Sequence, residues 1–271
     1  RYAEKFVREA EEDRPFFLYL AFTAPHWPLH AWPEDIEKYR GRYGADWAEL
    51  RRERFERQVE MGLFDDDVKL SDLHPDASPW TTETAEDMDL RMAVYAAMID
   101  RMDQGIGGVL DALRETGREE NTLVLFLSDN GACAEAIGKG RPDRLPASHP
   151  RSFQGVLLPW ANASNTPYRQ FKHWTHEGGI ATPLVASWPA GMRDVEKGGF
   201  VRTPAHIIDF MATFVDLARA DYPVEQGGNQ IQPMEGVSLR PLLTGAGHLA
   251  ERDLFWEHEG NRAVRVGRWK L

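Results

Sequence analysis

With 271 residues, 42% hydrophobic and 28% charged, the chain has the make-up of an ordinary globular protein and room for one large α/β domain or two smaller ones. A formal net charge of −11 argues against a nucleic-acid-binding domain, which needs a basic face, but leaves anionic small substrates open because a cleft can carry the opposite sign. The single cysteine, Cys133, excludes an internal disulfide, so the compartment is not legible from disulfides, and no apolar run reaches membrane-spanning length.

Residues 1–13 are charged and helix-compatible. Pro15-Phe-Phe-Leu-Tyr-Leu-Ala-Phe22 predicts a buried strand that empties into Thr23-Ala-Pro-His26-Trp-Pro-Leu-His30, a loop stiffened by two prolines. His26 at a strand exit is placed to donate a hydrogen bond or act as an acid, or simply to pack in a Trp/Pro-rich loop. Residues 34–62 read as a helix with a solvated, mixed-charge face, and residues 65–84 as a loop whose Asp65-Asp66-Asp67 is a solvated acidic turn. From Thr84 to Thr116 apolar residues recur every three or four positions, with Met88, Met92, Met98 and Met102 as core packing and Gly117 as the stop.

Thr122-Leu-Val-Leu-Phe-Leu-Ser128-Asp129-Asn130-Gly131 is an apolar strand that ends abruptly on a carboxylate and an amide. Buried strands of this kind belong to parallel sheets covered by helices, where ligands gather at the carboxyl ends. Asp129 and Asn130 offer hard oxygens suited to Ca²⁺ or Mg²⁺; the same four residues also serve as a plain turn. About forty residues without clear periodicity follow, containing Gly138, Gly140, Pro142, Pro146 and Pro150. They lead into a polar, aromatic and basic stretch in which Lys172 is suited to an oxyanion and Gly178-Gly179 to close backbone approach. Residues 182–189 predict a short strand, 203–219 a helix opened by Thr203-Pro204, 221–236 a loop, and 236–243 a short helix. Residues 253–258 and 262–271 alternate like antiparallel strands around Glu259-Gly260-Asn261.

Taken together, Ala24-Pro-His26-Trp-Pro-Leu29, Ser128-Asp129-Asn130-Gly131, Asn162-Ala-Ser-Asn165-Thr-Pro167, Lys172 with Glu177-Gly-Gly179 and Pro183, and Glu257-His-Glu-Gly-Asn-Arg-Ala-Val-Arg265 resemble, in order, the arylsulfatase-type sulfatases. The resemblance implies an alkaline-phosphatase-like α/β fold: a largely parallel sheet sandwiched by helices over residues 1–250, and the start of a small C-terminal antiparallel sheet over 251–271. It implies hydrolysis of small-molecule or glycan sulfate esters with a Ca²⁺ ion (Mg²⁺ as the variant) and a formylglycine nucleophile, and a periplasmic or secreted placement. By resemblance Asp129 and Asn130 are half of the metal site, His26 and Lys172 hold the sulfate and assist the leaving oxygen, and His176 is a further substrate-side candidate. A divalent ion and a lysine stabilise the charge that moves toward the leaving group, and a histidine can protonate it.

The departures are specific. No Cys/Ser-x-Pro-x-Arg occurs, Cys133 lies in Gly-Ala-Cys-Ala-Glu and does not match the modified position, and Ala181-Thr182 stand where the family has an arginine after Glu-Gly-Gly. The chain starts at Arg1 and ends at Leu271 in strand-like sequence. The expectation is therefore a fragment, inactive by itself, whose missing N-terminal part supplies paired aspartates and the formylglycine. The competing expectations are a phosphatase or phosphonate hydrolase of the same fold, and a catalytically dead homologue that binds sulfated glycans.

Overall fold

The computed structural model describes residues 1–77, 80–137 and 145–271, the side chains of residues 82–84 excepted. Along the chain run helices α1 (Tyr2–Glu9), α2 (Pro33–Glu37), α3 (Trp47–Glu60) and α4 (Thr82–Glu115), strand β1 (Val124–Leu127), helices α5 (Leu157–Ser164) and α6 (Glu177–Ile180), and strand β2 (Leu184–Ser187). Helix α7 (Asp209–Ala218), strands β3 (Glu225–Gln226) and β4 (Asn229–Gln230), helix α8 (Arg240–Leu243) and strands β5 (Leu254–His258), β6 (Asn261–Val266) and β7 (Trp269–Lys270) follow. The chain is α/β, with sheets ordered β1-β2, β3-β4 and β5-β6-β7 among the described residues. The β3–β4 and β6–β7 pairs are antiparallel, so a small C-terminal antiparallel sheet is present. Two compact units emerge: Arg1–Gly117 with Leu127–Pro183 and Glu257–Asn261, and Arg118–Phe126 with Leu184–Trp256 and Arg262–Leu271.

The first unit is built on α4, close to the helix predicted over 84–116. Ala93, Val94, Ala97 and Met98 form its buried stripe, with Met88, Met92 and Tyr95 packed beside the core. Gly117, at φ +67°, ends the helix as a left-handed residue for which glycine pays no Cβ clash. Helices α1 and α2 pack on α4, and α3 packs on α5. Trp47 of α3 meets Trp80 and Trp160 edge-on at 4.8 and 6.0 Å, and the Trp160 indole N–H donates to the carbonyl of Met88 at 3.1 Å, so the largest core side chain is also polar-satisfied.

Three local predictions change here. The helix predicted over 34–62 is split, because the chain turns at Gly41 (φ +74°) and the N–H groups of Gly41 and Tyr43 both donate to the Asp89 carboxylate at 2.8 Å, tying the break to α4. Arg51 is not on a solvated face: it is buried and donates to Ser71 Oγ at 2.8 Å. Pro15–Phe22 forms no strand, since a strand requires a ladder and no neighbour pairs with it among the described residues; Phe17, Tyr19, Leu20 and Phe22 stay exposed. Strand β1 does form and neighbours β2, but Phe126 is exposed rather than covered on both faces, and no larger sheet surrounds the pair among the described residues. Gly138, Gly140 and Pro142 lie outside the described residues. With this apolar surface open, the isolated chain should bind a hydrophobic dye and self-associate on size-exclusion chromatography; a dye-silent monomer would contradict it.

In the second unit the helix predicted from Thr203 begins instead at Asp209. The Asp209 carboxylate reaches back to accept from the N–H of His206 at 2.7 Å, which closes the turn 206–209 that leads into the helix. Asp209 also accepts from the N–H of Val237 at 3.0 Å and from both Nη atoms of Arg252. Burial pushes its carboxyl up, and the Arg252 and backbone hydrogen bonds outweigh that, leaving it below the ordinary carboxylate value.

Candidate active site

The site is stitched by backbone before any side chain is considered. The N–H of Gly131 donates to Gly179 O at 2.9 Å, and the N–H of Lys172 donates to Ala132 O at 3.1 Å. Asn165 spans the two loops: its Oδ1 accepts from Ala132 N, and its Nδ2 donates to Gln170 O, both at 3.0 Å. A Cβ at Gly131 would run into the carbonyl oxygen of Gly178, and one at Gly178 into those of Arg169 and Gln170. Glycines are therefore required where the chain leaving Asp129-Asn130 meets the loop carrying Lys172.

His26 and Lys172, 146 positions apart, are in direct contact: Lys172 Nζ lies 3.3 Å from His26 Nε2. His26 Nδ1 faces the carbonyl of Trp27 at 2.9 Å, where only an N–H can serve, so Nε2 carries the lone pair that accepts from Lys172. Asp129 is exposed just past β1, and Asn130 is partly buried with Nδ2 donating to Gly131 O at 2.8 Å. His176 pairs with Arg169 Nη2 at 2.6 Å.

Glu135 is the hub. Its Oε2 accepts from the indole N–H of Trp27 at 2.7 Å, and its Oε1 lies 3.2 Å from His173 Nε2 and 3.5 Å from Lys172 Nζ. Burial pushes the Glu135 carboxyl up, but hydrogen bonds from His173 and Trp27 and the charge of Lys172 hold it below the usual range, so it is ionised beside the lysine. Burial raises the Cys133 thiol above its ordinary value, which keeps it a thiol rather than a nucleophilic thiolate.

The sequence profile of the Sulfatase family matches residues 1–220. The chain belongs to the sulfatase family. An uncharacterised sulfatase of Schizosaccharomyces pombe is 32% identical to it, across 99% of this chain and 52% of that protein. An arylsulfatase of Klebsiella aerogenes is 33% identical, across 89% of this chain and 54% of that protein. The chain thus spans about half the length of these curated relatives. Among solved structures, Ps i-CgsB in complex with k-i-k-neocarrahexaose aligns with a TM-score of 0.57 at 24% identity, over 99% of this chain and 44% of that one, a likeness of fold.

In this member of the family, Glu135, His173, His258 and Glu259 do not stand out as site residues from the sequence. Glu135 looked like the end of the Cys133 segment, and only its fold neighbours reveal its role. His173, next to Lys172, and His258-Glu259, inside the Glu257–Arg265 motif, were visible in the sequence but carried no spacing that joined them.

Proposed function

We propose that the whole protein hydrolyses sulfate esters, using His26 and Lys172 to hold the oxyanion. The observation that carries this is the 3.3 Å contact between these two side chains from distant loops, inside the segment that matches the Sulfatase family. The ammonium of Lys172 supplies a positive charge to the ester oxygens, and His26 Nε2, aligned by the Trp27 carbonyl, accepts a hydrogen bond from Lys172 and, when the ring is protonated, donates its proton toward the leaving oxygen. Glu135 Oε1, 3.5 Å from Lys172 Nζ, holds the ammonium in place.

Asp129 and Asn130 suit a hard divalent cation such as Ca²⁺ by chemistry: consecutive residues offer a carboxylate and an amide oxygen, part of a shell that takes six to eight. Such a cation, when bound, stabilises negative charge on the ester oxygens. An alkaline-phosphatase-like fold with a larger parallel sheet is supported by the likeness to Ps i-CgsB. An aryl sulfate is the apt probe, because the Klebsiella aerogenes relative is an arylsulfatase. The whole protein should turn over an aryl sulfate with a higher kcat/KM than the matching aryl phosphate; a preference for the phosphate would replace sulfatase with phosphatase chemistry.

A further inference from the structure

A second cluster lies behind Lys172. Among the described residues, His173, His258 and Glu259 bring one potential ligand atom each to within 4.8 Å of one another. The backbone holds two of them in uncommon conformations. His173 has φ +84°, and Glu259 (φ +50°) with Gly260 (φ +82°) forms the two-residue turn between β5 and β6. The tip of that hairpin is pinned to its neighbour, since Asn261 Nδ2 donates to His173 O at 3.2 Å. A histidine held in left-handed backbone is an outlier of the kind that accompanies functional sites.

The hydrogen bonding of His173 is what points to a ligand. Its Nδ1 faces Glu259 Oε2 at 3.1 Å and its Nε2 faces Glu135 Oε1 at 3.2 Å, so both ring nitrogens look at acceptor-only carboxylates. A neutral imidazole has one N–H and can satisfy only one of them. A cation on the Nδ1 side resolves the conflict: Nε2–H donates to Glu135, the Nδ1 lone pair binds the ion, and Glu259 becomes a fellow ligand. This is the carboxylate–histidine–metal arrangement, with Glu135 as the orienting carboxylate. The His258 ring stacks on that of His173 with centroids 5.7 Å apart and supplies the other nitrogen.

We propose that His173, His258 and Glu259 form a site for a zinc-class transition-metal ion, backed by Glu135 and separate from the Asp129–Asn130 oxygens. Two imidazoles and one carboxylate suit zinc rather than Ca²⁺ or Mg²⁺, and three protein ligands leave a coordination position open. Bonds of about 2.0–2.2 Å need ligand atoms closer than the present spread. The side chains of His258 and Glu259 are both more than half exposed and can rotate inward. Because Glu135 also lies 3.5 Å from Lys172 Nζ, occupancy of this site would be felt at the oxyanion-binding lysine through one carboxylate.

The test uses the whole protein, stripped with a chelator and held in excess Ca²⁺ so that hard-oxygen sites are filled. It is titrated with Co²⁺, read by visible absorption, and then with Zn²⁺ in competition with a chromophoric chelator. A single equivalent of Co²⁺ should give the intense bands of four- or five-coordination, and Zn²⁺ should displace it. Glu135→Gln should weaken Zn²⁺ binding by about 10–100-fold, and His258→Ala by more. Glu259→Gln provides the same comparison if His258→Ala fails to fold by circular dichroism. Cobalt spectra that remain those of the hydrated ion, or equal Zn²⁺ affinity in wild type and folded variants, would overturn the site and leave His173 as an imidazolium between two carboxylates.

Discussion

Lys172→Ala in the whole protein should lower kcat/KM for an aryl sulfate by on the order of a hundredfold or more, the size typical of losing one transition-state electrostatic contact. The loss should fall mainly on kcat, because the charge that Lys172 meets grows as the ester bond breaks. The substitution removes the donor 3.3 Å from His26 Nε2 and the cation 3.5 Å from Glu135, so it also leaves a carboxylate facing the site. That residual negative charge disfavours an anionic ester and adds to the loss. Unchanged kinetics would make Lys172 a loop residue whose backbone bond to Ala132 is its whole contribution.

Arg252→Ala should be the most destabilising single change in the second unit, costing about 3 kcal/mol, the lower end of what removing one partner of a buried ion pair costs, since the arginine retains some exposure. Asp209 is fully buried, and without Arg252 its carboxylate keeps, among the described residues, the backbone N–H groups of His206 and Val237. The pH dependence has a definite sign. In the wild type the Asp209 carboxyl is depressed, so its stabilisation is present above the unfolded-state value (about 3.9) and is lost as pH falls through the depressed value. In the variant, burial acts with its principal counter-charge gone, and protonation relieves the buried charge. The stability gap, measured from urea midpoints, should therefore be wide at neutral pH and narrow toward pH 3. A gap independent of pH would mean that Arg252 acts through packing alone.

The contrast between what the chain announces and what it conceals follows from the range of the forces involved. The helix α4 was legible because its apolar stripe is local and repeated over many turns, and the Glu259-Gly260 turn because its positive φ values ask for specific residues. Helix α5 was hidden: Pro159, Asn162 and Ser164 blur its periodicity, and it is held by Trp160 reaching Met88 across 72 positions. Pro15–Phe22 read as a strand because its composition is right, yet composition cannot supply the neighbour that a ladder needs. His26, Asp129, Asn130 and Lys172 stood out by residue type at the ends of apolar runs and by family likeness. Glu135 could not, because its importance is a matter of which three side chains surround it in space.

The proposal that His26 and Lys172 form an oxyanion site is reached most directly by a crystal structure of the whole protein soaked with a tetrahedral oxyanion such as vanadate or sulfate. The anion should lie within hydrogen-bonding distance of both Lys172 Nζ and His26 Nε2, with the side-chain oxygens of Asp129 and Asn130 turned toward the same cleft. An anion bound elsewhere while this pair stays closed on itself, or the Asp129 side chain directed to the opposite edge of the sheet, would contradict it.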